Sequence, residues 1–169
     1  MTTTGAREYA AAMSDGTSGS VGARAVAALN SGDLEAATAY MREMVRLHDR
    51  MGMTIVAVTE DSAVQTMELS EETAGAAPGS IHGGLLATFA DATAALAVTR
   101  SLDNETQIQV TTDMHIRYFR QPRSGPLTAT ATLVHRGRLI LSAECIIRDA
   151  EDRDLARATA TYMIVPRPF

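Results

Sequence analysis

Apolar positions recur along this chain in three rhythms, and each predicts a different kind of element. From Leu34 the rhythm is helical. Leu34, Ala37, Met41, Met44, Leu47 and Met51 return at three- and four-residue spacing, which predicts one helix with Asp33 as N-cap and Gly52 as its stop. The methionine stripe reads as a packing face. Ahead of it, the Ala-rich run Val21 to Asn30 predicts a shorter helix, and the Gly/Ser-rich residues 1–20 a flexible tail. The second rhythm is continuous: Leu85 to Val98 is apolar and Ala-rich, too long for an ordinary strand and suited to an enclosed helix.

The third rhythm is alternation. Gln107 to Tyr118 alternates with Ile108, Val110, Thr112, Met114, Ile116 and Tyr118 on one face. Thr54 to Val58, Ala63 to Leu69, Leu127 to Val134, Leu139 to Ile147 and Leu155 to Val165 read as further strands. Turn chemistry separates them: Pro78-Gly79, Ser124-Gly125-Pro126, a tight His135 to Arg138 turn in which Gly137 takes positive φ, and a charged Asp149 to Asp154 loop. The order is helix, two strands, enclosed helix, four strands. An α+β fold follows, in which an antiparallel sheet curls around one central helix. The division is a tail (1–20), a helical extension (21–52) and the sheet-and-helix domain (53–169).

Composition removes several function classes. Hydrophobic residues make up 46% of the 169, a normal globular share. A net charge of -5 disfavours nucleic acid and anionic membranes as partners, and residues 1–50 hold five Arg against six acids, no basic reading module. No apolar run reaches the roughly 18 residues of a membrane span. Cys145 stands alone, so no disulfide framework exists, and it reads as core filler in a reducing, cytoplasmic setting. All 15 basic residues are Arg, ten of them from Arg100 onward, and Arg grips phosphate with two parallel hydrogen bonds.

The candidate chemistry lies in Ser80 to Asp91. Gly83 and Gly84 at a helix start leave backbone N–H groups bare at the positive end of the dipole, able to hold an anion or an oxyanion. The glycines alone fit close packing as well. Asp91 adds the decisive feature: a carboxylate inside an apolar helix costs several kcal/mol to bury, so a sequence built only to fold would place Ala or Leu there. Gly84 and Asp91 are roughly 10 Å apart along a helix axis, whereas a reacting group must sit about 3 Å from its target. A second copy of the helix across a two-fold axis would complete one site from two chains.

The run His82-Gly83-Gly84 with a carboxylate nine residues after the His, followed by Thr111 to Pro122 with its Tyr-x-x-Pro turn, resembles the PaaI-like and 4-hydroxybenzoyl-CoA thioesterases. The resemblance covers about residues 50–166. It implies a single hotdog fold, a homodimer or a homotetramer made of two such dimers, and hydrolysis of a small, medium or aryl acyl-CoA without metal or cofactor, CoA being part of the substrate. Asp91 is then the nucleophile or general base. Gly84 supplies the oxyanion donor from the other subunit, His82 shapes its loop, and Thr111 holds the lytic water. Gly83, Leu86, Phe89 and Ala90 would line the substrate site, and Arg120, Arg123, Arg136 and Arg138 would meet CoA. Two positions depart from the family: Ala76 stands where Asn or Gln is common, and Ala95 where some relatives carry Thr. Ala76 keeps a non-catalytic acyl-CoA-binding protein in play, and a hydratase fits the His82-Gly-Gly entry less well.

Overall fold

The computed structural model describes residues 17–167, so most of the tail assigned to residues 1–20 lies outside the described residues. Three helices open the described residues: α1 (Thr17–Ser31), α2 (Leu34–Met44) and α3 (Arg46–Arg50). Asp33 caps α2 as expected, accepting from the Ala36 amide at 3.0 Å, and Gly52 ends the segment at φ 60°. The single helix expected from 34 to 51 is broken, because Val45 is extended at φ −126°, ψ 94°. The methionine stripe is not one face: Met44 and Leu47 stay exposed, while Met51 and Met53 turn into the core. The break delivers both burials and aims α3 in a new direction.

Six strands form one antiparallel sheet in the order β1-β2-β4-β5-β6-β3. They are β1 (Thr54–Val58), β2 (Ser62–Met67), β3 (Gln107–Tyr118), β4 (Leu127–Arg136), β5 (Ile140–Arg148) and β6 (Asp154–Pro166). The β1 edge is covered by α2: Thr38 Oγ1 accepts from the Ile55 amide, and Arg42 donates to Met53 O and Thr54 Oγ1. β3 forms the opposite edge and, among the described residues, pairs only with β6. Gly137 does not take positive φ. It is needed for space, since a Cβ there would meet Ile140 O at 2.8 Å.

The expected faces of β3 hold for only half its length. Thr111 pairs with Tyr162 and Asp113 with Thr161, so Thr112 is an extra, bulged residue. A one-residue insertion exchanges the faces. Gln109 and Thr111 therefore point at the central helix before the bulge, and Met114 and Ile116 pack on the core after it.

The central helix, α4 (Gly83–Thr99), lies across β2, β4 and β5. Leu86, Phe89, Ala90, Ala94, Leu96, Ala97 and Val98 are buried, each large apolar side chain contributing about 1.5–3 kcal/mol. Thr93 is buried too, and its hydroxyl is satisfied by Phe89 O and Gln65 Oε1. The helix is not apolar all round: Thr88, Asp91, Ala95 and Thr99 form a half-exposed stripe with Gly84 at its head.

Candidate active site

The residues around Asp91 come together because three elements converge on that stripe. Thr111 of β3 donates to Asp91 Oδ1 at 3.0 Å, a contact that depends on the bulge turning Thr111 inward. Tyr162 of β6, the register partner of Thr111, donates to the same Oδ1 at 3.1 Å and to the Asp91 carbonyl at 3.0 Å. Two hydroxyls on one oxygen fix the carboxylate plane. Asp91 Oδ2 accepts no hydrogen bond among the described residues. Burial first, and then the Asp91 charge beside it, push the Tyr162 phenol far above its ordinary range, so it stays a donor.

Asp91 opens into a cavity of about 430 Å³ between α4 and the N-terminal helices. Its walls are mostly apolar: Val26, Leu29, Met41 and Met44 from the extension, Ala92, Ala95 and Leu96 from α4. Polar groups are few, chiefly Asp91, Thr88, His48, Gln109 and Arg167. A mostly apolar cavity of this size with a few convergent polar groups is the ordinary form of a small-molecule site. Gln109 Nε2 is held by Ala95 O and Thr99 Oγ1, each at 3.2 Å.

The helix start is separate. His82 is the N-cap, and its Nδ1 accepts from the Gly84 amide at 3.0 Å. The amide expected to be a bare oxyanion donor is therefore occupied by the neighbouring imidazole. Both residues are exposed, so rotating the His82 side chain frees the donor. Gly83 O accepts from Tyr118 at 3.0 Å, and the Ile81 amide is held by Gln121 Oε1. Gly83, Leu86 and Arg120 share a recess of about 260 Å³ there, apart from the Asp91 cavity. Phe89 and Ala90, expected in the substrate site, are 0% and 1% exposed and packed in the sheet–helix core. Helical periodicity turns them away from Asp91.

The four Arg expected to meet CoA form no single patch in one chain. Tyr118 lies level with Ala156 and Ile147, which puts Arg120 and Arg123 at one end of the sheet. Arg136 lies level with Leu141 and Tyr162, so Arg136 and Arg138 sit at the other. Arg136 pairs with Glu60 and Arg123 with Glu151, whereas Arg138 is exposed. Cys145 is buried, and burial pushes its thiol up to about 12. Among the described residues no three His, Cys, Asp or Glu side chains cluster as metal ligands, and no helix is long and apolar enough to cross a membrane.

Tyr162 and His48 escaped the sequence reading. Tyr162 did leave a signal, as the one large residue in the inward row Ala156, Ala158, Ala160. His48 left none, because it lies off the methionine stripe.

Residues 78–156 match the thioesterase superfamily. The medium/long-chain acyl-CoA thioesterase YigI of Escherichia coli is 29% identical over 96 residues, which span 50% of this chain and 62% of YigI. A thioesterase from Haemophilus influenzae superposes with a TM-score of 0.66 at 28% identity, covering 70% of this chain and 82% of that one. The PaaI protein of the Escherichia coli phenylacetic acid degradation operon gives 0.65 at 25% identity, covering 74% and 88%.

Proposed function

From the match of residues 78–156 to the thioesterase superfamily and the hotdog fold shared with PaaI, we propose that the chain is a thioesterase of that superfamily and hydrolyses a small or medium acyl-CoA to the free acid and CoA. One observation carries the reading. Two hydroxyls converge on Asp91 Oδ1 and leave Oδ2 as the reacting oxygen at the wall of a mostly apolar cavity. The acyl chain occupies that cavity, bringing the thioester carbonyl to Asp91. Oδ2 acts on water as general base, or attacks the carbonyl carbon itself. In either route the C–S bond breaks and a proton from the water ends on the CoA sulfur. The water oxygen enters the acid in the general-base route; in the nucleophilic route it enters the Asp91 carboxyl, whose own oxygen leaves in the acid. No cofactor takes part.

The open sheet edge supports a site shared between two copies. Among the described residues β3 is the one sheet edge left open, and it is twelve residues long. Joining β3 to the β3 of a second copy would form a homodimer and bring that copy's helix start toward Asp91. The Gly84 amide, released by His82, would then meet the thioester oxygen from across the two-fold axis. Arg120 and Arg138, remote from each other in one chain, would come from different chains to the same CoA.

The test is CoA release across short, medium, long and aromatic acyl-CoAs, with an Asp91→Ala control. Turnover is expected for small or medium acyl groups and should fall by about 10²–10⁴ in the control. Turnover that survives Asp91→Ala overturns the assignment. A folded protein that binds acyl-CoA and never hydrolyses it is instead an acyl-CoA-binding relative, for which Ala76 and the occupied Gly84 amide supply the reason. Single-turnover reaction in ¹⁸O-water separates the two roles, since only a nucleophilic Asp91 yields acid whose new oxygen comes from the protein.

A further inference from the structure

The N-terminal helices do more than cover a wall. The extended Val45 turns α3 so that His48, six residues before β1 begins, lines the same cavity as Asp91. Its Nδ1 is buried with no hydrogen-bond partner among the described residues. Leaving a polar atom so sealed costs about 1–3 kcal/mol, and native proteins keep such atoms chiefly where a role requires them. With Nδ1 enclosed, Nε2 is the nitrogen left to work in the cavity. Asp91 and Arg167 are the other charged side chains of the lining.

Resting on the thioester-hydrolase reading, we propose that His48 is the proton carrier of the Asp91 centre, supplied by the helical extension. Asp91 Oδ2 takes the proton of the lytic water as the water oxygen bonds to the acyl carbon, and hands it to Nε2. The same proton passes to the CoA sulfur as the C–S bond breaks, so the imidazole ends neutral and ready for the next turnover. Asp91 then faces a transient imidazolium, a charge its carboxylate stabilises. Burial lowers the His48 pKa and the Asp91 charge opposes that shift, which keeps the ring in its accepting form at neutral pH.

His48→Gln keeps a polar atom near the place of Nε2 and removes the titration. Its kcat is expected to fall by about 10²-fold or more with KM within about threefold, and the acid limb of the kcat–pH profile should disappear. A merely structural role would raise KM or lower the melting temperature and leave the limb in place. Turnover within about threefold of the parent, or an unchanged acid limb, overturns the proposal. A second measurement needs no turnover: NMR titration of His48 in the parent and in Asp91→Asn. The pKa should lie below 6.5 and drop further when the carboxylate is neutralised. An unchanged titration overturns the pairing. A shift in a protein inert toward every thioester upholds the pairing and overturns the hydrolase reading instead.

Discussion

Asp91 depends on hydroxyls from two neighbouring strands, and their loss should separate chemistry from folding. Tyr162→Phe removes the donor to Oδ1 and to the Asp91 carbonyl while keeping the ring in its fully buried seat. A hydrogen bond to a charged group is worth about 1.5–3 kcal/mol, so kcat is expected to fall about 10- to 100-fold. The melting temperature should move by only a few degrees, and a large fall in it with kcat intact would reverse the assignment. Asp91 stood out in the sequence as a carboxylate in an apolar helix, but the cost of burial that singled it out does not arise, because the structure sets it on a half-exposed stripe. Thr111 entered only by resemblance, as a residue holding the lytic water; the structure sets its hydroxyl on Asp91 Oδ1. Gly84 was legible as a potential donor, but an imidazole two residues back can fold onto it, and spacing carries no information on that. Cys145, with its thiol pushed up to about 12 by burial, stays unreactive while CoA release is followed with a thiol reagent.

Element boundaries were the most legible feature and directions the least. β1 and β3 begin and end where alternation does, and the central helix extends its apolar run by only a few residues. The Thr112 bulge could not be read: in Thr111-Thr112-Asp113 every residue is polar, so a change of face leaves no break in the pattern. Nor could the break at Val45, since the methionine spacing runs on undisturbed while only burial distinguishes Met44 from Met51. The helical extension was left without a role by the sequence, yet α1 and α2 wall the cavity. Val26 of α1 is half-buried there, so Val26→Phe fills space without straining the core. The mutant is expected to shift its acyl-CoA preference toward shorter chains, read as kcat/KM across the panel. An unchanged profile would place the acyl chain elsewhere.

At the scale of the whole molecule, the two sheet edges are treated differently. β1 is capped by α2 through Thr38 and Arg42, whereas among the described residues β3 keeps a free row of backbone groups beside exposed Val110. Val110→Lys would set like charges against each other in a β3–β3 dimer. The expected result is a monomer by sedimentation with intact circular dichroism and no CoA release. Turnover by that monomer would show that one copy completes the site. Two identical straight edges meeting head to tail can slide by two residues and pair equally well. In such a dimer the Thr112 kink would remove that freedom. It would act as an alignment notch, because two bent strands mate only where their bends coincide. One extra residue would thus serve two distances at once, turning Thr111 inward onto Asp91 and fixing how far one chain's glycines stand from the other chain's carboxylate.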